Sequence, residues 1–174
     1  MLVVNFKKLT ADAQLPVKGS EHAACYDVYA TSITANGDGI ATYGLGFATE
    51  IPYGWRGVIV PRSNISKHPW VLANSVGIVD SDYRGEWMVK FKCVSDEVKA
   101  LPYAVGDRVA QIFFEKNVHV AFAEVEHLEE SVRGEGGFGS TGIGDLNTSS
   151  NNTFYIDPKF VTNTTADVKS NTNS

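Results

Sequence analysis

Along residues 87–93 apolar and polar side chains alternate. Trp87, Val89, Phe91 and Cys93 fall on one face, and Met88, Lys90 and Lys92 on the other. A repeat of two marks a strand with one buried face. Segments 2–6, 44–51, 55–60, 108–115 and 118–125 are rich in β-branched or aromatic residues and are expected to form further strands. In 108–115 both faces carry apolar groups, which suits a strand covered on both sides. Chain breakers fall between these runs, at Asn36-Gly37-Asp38-Gly39, Pro52-Tyr53-Gly54 and Val105-Gly106-Asp107. Helical character is confined to a turn or two near 63–68. The predicted fold class is all-β, a sandwich or barrel.

The pattern stops after Gly142. From Ile143 to Ser174 half of the residues are Asn, Thr or Ser, and such a segment is expected to be mobile. One apolar island, Phe154–Val161, could dock on its own protein, on a protein partner or as an added edge strand. The Asn-Xaa-Ser/Thr triplets at Asn147, Asn151 and Asn163 are read as chance in an Asn/Thr-rich stretch, because no secretion signal accompanies them.

Composition narrows the function classes. A chain of 174 residues suits one domain with a short appendage, and 43% hydrophobic residues can fill an ordinary core. The net charge of −5 argues against a nonspecific nucleic-acid coat, which needs a basic surface to displace counterions. A single triphosphate is a different case, since a few placed arginines and a metal ion neutralise it. Cys25 and Cys93 cannot make a metal quartet and are read as reduced, packed thiols. The four histidines show no ligand spacing. The apolar start of the chain is too short for a signal peptide, and no stretch reaches membrane-span length, so the expected location is cytoplasmic, with no membrane partner.

Three segments carry candidate chemistry. Residues 133–142, Arg133-Gly134-Glu135-Gly136-Gly137-Phe138-Gly139-Ser140-Thr141-Gly142, hold five glycines, which let backbone N–H groups converge on an anion. Ser140 and Thr141 add hydroxyl donors, and Arg133 adds a forked cation suited to phosphate. The P-loop pattern is absent, and a glycine-rich stretch alone fits a linker equally well. Phe138 speaks against a mere spacer, since an aromatic ring can stack on a base. Residues 74–86 read as a β-hairpin with Asp80, Asp82 and Tyr83 near its tip. Residues 61–64, Pro61-Arg62-Ser63-Asn64, offer a cation and a hydroxyl just after a strand.

In order, these pieces resemble the five motifs of the trimeric dUTPase family. The first is Ala23-Ala24-Cys25-Tyr26-Asp27-Val28-Tyr29-Ala30, the second Pro61-Arg62-Ser63-Asn64, and the third Gly77-Ile78-Val79-Asp80-Ser81-Asp82-Tyr83-Arg84-Gly85. The fourth is Gly106-Asp107-Arg108-Val109-Ala110-Gln111-Ile112, and the fifth the stretch 133–142. The third and fifth are specific, and five in order make coincidence remote. Cys25 and Asn64 stand where the family commonly has glycine. A positive φ at Cys25 would strain it.

The resemblance implies a jelly-roll-like β-sandwich over residues 1–132, a phosphate-binding motif at 133–142 acting as a flexible arm, and a tail at 143–174 outside the family pattern. It implies a homotrimer with shared active sites, dUTP as substrate and Mg²⁺ on the phosphates, the products being dUMP and pyrophosphate. Asn74 and the backbone of Ile78, Val79 and Met88 are the expected base and sugar pocket. Tyr83 either packs within the hairpin or bars a 2′-hydroxyl. Asp80 is the expected general base and Gln111 a holder of the attacking water. Arg62, Ser63 and Asn64 are expected along the phosphates. Arg133, Gly139, Ser140 and Thr141 would close over the γ-phosphate while Phe138 covers the uracil. Asp27 is expected to reach the metal through water. Asp107, Arg108 and Arg84 are assigned to structure or subunit contacts. The alternatives are a deoxycytidine triphosphate deaminase on the same fold, a regulatory binding module using the tail, and a structural trimer without chemistry.

Overall fold

Alternating segments become strands where another segment lies beside them to complete their hydrogen bonds. The computed structural model describes residues 1–35, 37–96 and 100–137. Its strands are β1 Asn5–Lys8, β2 Val17–Lys18, β3 Tyr26–Tyr29, β4 Ser32–Ala35, β5 Ile40–Gly44 and β6 Phe47–Glu50. They continue with β7 Trp55–Pro61, β8 Trp70–Leu72, β9 Gly77–Val79, β10 Met88–Cys93 and β11 Arg108–Lys116. A 3₁₀ turn at Ser63–Lys67 is the helical piece expected near 63–68.

All pairings are antiparallel. One sheet runs β2-β3-β11-β7-β9, a second β4-β5-β10-β8, and β1 pairs with β6. The architecture is a jelly-roll-like β-sandwich. Residues Met1–Phe122 form one compact unit; Ala123–Ser174 form a second, described over 123–137. No helix among the described residues is long and apolar enough to cross a membrane.

The alternation read in 87–93 fills the core. Trp87, Val89 and Phe91 are buried while Met88, Lys90 and Lys92 are exposed. Trp87 packs beside Phe47, and its indole Nε1–H donates to the Thr49 hydroxyl at 3.1 Å, so the one polar atom of a buried ring is satisfied. A Cβ at Gly57 would fall 2.5 Å from that indole, so glycine there lets β7 pass close beneath it. In β11, Ala110 and Ile112 are buried while Gln111 and Phe113 are half-buried. Val109 is also fully buried, so the two-sided burial expected for 108–115 is complete at the start of the strand and partial from Gln111 to Glu115.

Four further expectations change. The first strand begins at Asn5 rather than residue 2, because β6 ends at Glu50 and Pro52 just beyond has no N–H to continue the ladder. The run 44–51 holds the last residue of β5, Gly44, and the whole of β6 in a different sheet, split by Gly46 at φ 68°, whose carbonyl accepts from the N–H groups of Leu9 and Thr10. Segment 74–86 is not a paired hairpin: β9 pairs with β7, whereas β10 pairs with β5 and β8, so residues 80–87 step from one sheet to the other. Segment 118–125 forms no strand. The partner of β11 ends at Trp55, and Val118, Val120, Phe122 and Val125 are left exposed.

Candidate active site

Site residues collect where the sheets end. The tight turn between β8 and β9 carries Asn74, whose carbonyl accepts from Val76 N–H at 2.6 Å. Within it, Ser75 takes φ 61° and is the sole non-glycine with positive φ among the described residues. A left-handed serine costs on the order of 1 kcal/mol, strain of a kind that gathers at functional sites. Cys25 and Asn64 have no positive φ and are free of that strain.

Asn74, Ile78, Val79, Asp80, Tyr83 and Met88 line one cleft of about 420 Å³. Its floor is apolar, from Ile59, Leu72 and Trp87, and its walls include Glu86 and Lys90, which the sequence reading did not single out. The residues expected to form a base pocket come together although 74–86 is not a hairpin. β9 is the last strand of its sheet, so one backbone edge faces outward. β8 pairs with β10 only from Phe91 onward, which leaves Met88 unpaired on that side. A planar ring with pairing groups along its rim can use such edges as a strand would. Ile78 and Met88 are half exposed, apolar surface that the ring would cover.

Tyr83 is fixed in this wall. Its hydroxyl donates to the Glu86 carbonyl at 3.0 Å, and its ring lies against Gly85, where a Cβ would collide with the phenol oxygen. Glu86 in turn accepts from Gly46 N–H at 2.8 Å through Oε1, which ties the loop to the β5–β6 crossing. Asp80 is exposed and forms no salt bridge among the described residues.

A second cleft, of about 380 Å³, is lined by Asp27, Arg62, Ser63 and Gln111 together with Cys25. Asp27 on β3 is buried, and its two oxygens accept from Arg62 Nε at 2.8 Å and Arg108 Nη1 at 3.2 Å. Arg108, assigned to structure from sequence, so belongs to the surroundings of this cleft. The cluster of two guanidiniums and one carboxylate carries net positive charge, and it holds Arg62 in place toward an anion. Gln111 on β11 donates to the Pro61 carbonyl at 3.0 Å. Burial and the nearby Asp27 carboxylate push the Cys25 thiol up. Asn64 accepts from the Tyr103 hydroxyl and is not part of this lining.

The two clefts stand at opposite ends of β7. The register Val79↔Gly57 puts Asp80 beside the Arg56 end, whereas Arg62 and Ser63 follow Pro61. Six residues of strand at about 3.3 Å each separate them by roughly 20 Å. Asp80 and Arg62 of one chain therefore cannot hold the same phosphate chain. Arg133 lies in the second unit and donates through Nε to the Gly136 carbonyl at 3.0 Å, around a turn with Gly134 at φ 53°. Phe138, Gly139, Ser140 and Thr141, and the tail at 143–174, lie outside the described residues.

The described residues contain no cluster of three or more His, Cys, Asp or Glu able to hold a metal ion. With both carboxylate oxygens engaged by arginines, Asp27 fits a contact through water better than direct ligation.

Comparison with known proteins places these features in one family. The sequence model of the dUTPase family matches residues 11–142. The deoxyuridine 5'-triphosphate nucleotidohydrolase of Kluyveromyces lactis is 46% identical over 138 residues, covering 76% of this chain and 89% of that protein. Among solved structures, the dUTPase of Staphylococcus bacteriophage 80alpha, held with dUpNHpp, matches with a TM-score of 0.69 at 24% identity, covering 81% of this chain and 99% of its own. A mutant dUTPase of phage phi11 of S. aureus, described with a structural Mg(II) ion, matches with a TM-score of 0.61 at 19% identity over 74% of this chain and 99% of its own. At those identities the two phage structures speak for the fold.

Proposed function

This chain belongs to the dUTPase family and hydrolyses dUTP to dUMP, and we propose that it does so in a homotrimer whose copies each supply part of every active site. The observation that carries the proposal is the division of the site residues between two clefts at opposite ends of β7. Base, sugar and the general base are supplied by one copy, and the phosphate contacts, with Gln111 beside the attacking water, by the second cleft of another. The exposed apolar alternation of Val118, Val120 and Phe122 supports assembly, since a strand-like segment without a partner among the described residues invites one from a neighbour.

Uracil enters the first cleft and pairs with the open backbone near Ile78, Val79 and Met88, and with Asn74. Cytosine presents donors and acceptors reversed at that edge and would leave buried polar groups unpaired, a mismatch worth about 10⁴–10⁵ in selectivity. Tyr83 packs on the deoxyribose and leaves no room for a 2′-hydroxyl. Asp80 takes a proton from water as its oxygen attacks the α-phosphorus; the bond to the bridging oxygen breaks, and pyrophosphate leaves. Gln111 of the neighbouring copy steadies that water through its amide. Arg62 and Ser63 stabilise the charge on the phosphate chain, Arg62 being held by Asp27.

Asp27 is the residue that would hold Mg²⁺, through a water, and the ion would supply positive charge to the phosphate oxygens. Arg133, Gly139, Ser140 and Thr141 close over the γ-phosphate, and Phe138 covers the base. In this reading residues 1–132 are the catalytic body, 133–142 the closing arm and 143–174 an appendage open to a protein partner. The enzyme keeps uracil out of DNA and supplies dUMP for dTMP synthesis.

Pyrophosphate release measured with Mg²⁺ across dUTP, dCTP, dTTP and UTP tests the assignment. Only dUTP is expected to turn over well, and comparable release from UTP would remove Tyr83 from its role. Gly85→Ala sharpens the same test. The added methyl pushes the Tyr83 ring off its seat, so discrimination against UTP should fall by roughly ten- to a hundredfold while the protein stays folded.

A further inference from the structure

The turn at Ser63–Lys67 carries Ser63 and follows directly on Arg62, yet it is lightly built. It contains no buried residue, and Arg62 at its start gives no side-chain cap. The hydrogen bonds Ile65 N–H to the Arg62 carbonyl, Ser66 Oγ–H to the Ser63 carbonyl and His68 N–H to the Ile65 carbonyl stay within or next to the turn. Ile65 adds partial packing on the core. Among the described residues, one side-chain hydrogen bond joins the turn to the body of the sandwich: the Tyr103 hydroxyl donates to Asn64 Oδ1 at 3.1 Å.

Tyr103 is a firm anchor. It is 6% exposed, its ring meets Tyr43 edge-on at 6.0 Å and lies 5.6 Å from Phe91, and its own carbonyl accepts from the Tyr43 hydroxyl at 3.2 Å. Two hydrogen bonds thus run in series from the fully buried Tyr43 to the turn bearing Ser63.

We propose that Asn64 and Tyr103 are positioning residues for phosphate binding, acting as a tether that holds Arg62 and Ser63 against the di- or triphosphate chain of the substrate. The inference rests on the assignment of Arg62 and Ser63 to the phosphates. Ordering the turn before binding removes an entropic cost that a loose turn meets each time a phosphate chain arrives. Tyr103 lies behind the turn and acts only through Asn64, which separates positioning from contact.

The test uses the full-length protein and two competing inhibitors of dUTP hydrolysis, inorganic pyrophosphate and deoxyuridine. In Tyr103→Phe, which keeps the ring and loses only the hydroxyl, and in Asn64→Gly, the inhibition constant for pyrophosphate should rise roughly three- to tenfold, the range of one lost hydrogen bond. That for deoxyuridine, which occupies the cleft at the other end of β7, should not move. The double variant should be no worse than the poorer single one, because both remove the same link. Arg62→Ala, measured alongside, should weaken pyrophosphate further than either. Unchanged pyrophosphate inhibition in folded Tyr103→Phe overturns the tether, as does a double variant whose loss is the product of the singles. A parallel weakening of deoxyuridine points to general loosening and also overturns it. If Arg62→Ala keeps wild-type pyrophosphate inhibition, the phosphate assignment fails and the tether fails with it.

Discussion

Asp80→Asn is expected to lower kcat for dUTP by roughly 10²–10⁴ while leaving KM within a few-fold of wild type. The amide matches the carboxylate in shape, so the cleft formed with Asn74, Ile78 and Tyr83 stays intact. What is lost is the capacity to take a proton from water as it meets the α-phosphorus. Asp80 is exposed and holds no salt bridge among the described residues, so the substitution breaks no ion pair and should scarcely affect stability. The measurement is pyrophosphate release under saturating dUTP, with nucleotide binding followed separately by titration. Undiminished release in a well-folded sample would remove Asp80 from the chemistry.

A chain ending at Val132 is expected to bind nucleotide yet hydrolyse it about 10²–10³ times more slowly. The residues removed include Arg133 and the glycine-rich stretch with its two hydroxyls, the groups assigned to the γ-phosphate and to shielding the reaction from water. The β-sandwich should survive, because its buried core lies wholly between Ala13 and Ile112. Thermal unfolding near the wild-type midpoint together with weak turnover is the predicted pair of results. Full turnover would leave the glycine-rich stretch as a linker.

How much of this was legible in the sequence depended on whether a feature is local. β10 and β11 could be read because each is long enough for its alternation to stand out, as at Trp87, Val89 and Phe91. Ser32–Ala35 and Trp70–Leu72 were missed because they are only four and three residues long, and their place is set by distant partners, β5 and β10. The hairpin read at 74–86 failed for the same reason. A turn between two apolar runs suggests that they pair, but Val79 and Met88 join different sheets.

The residues grouped from sequence as a base pocket nonetheless line one cleft, because they are close along the chain and the loop keeps them close in space. The link from Asn64 to Tyr103 spans 39 positions and has no local signature. Arg108 shows the same limit, since only the fold reveals that it and Arg62 share Asp27.

The division of the active site between copies can be tested by mixing two inactive proteins. Asp80→Asn spoils one cleft of its own chain, and Arg62→Ala spoils the other. If each site takes Asp80 from one copy and Arg62 from its neighbour, dissociating an equal mixture and letting it reassemble should restore about a quarter of wild-type activity, the fraction of neighbouring pairs in which both contributed residues are intact. Were each chain to build its own complete site, every site in the mixture would lack one residue or the other. Activity would then stay at the level of the inactive parents, even though wild-type protein taken through the same steps recovered in full.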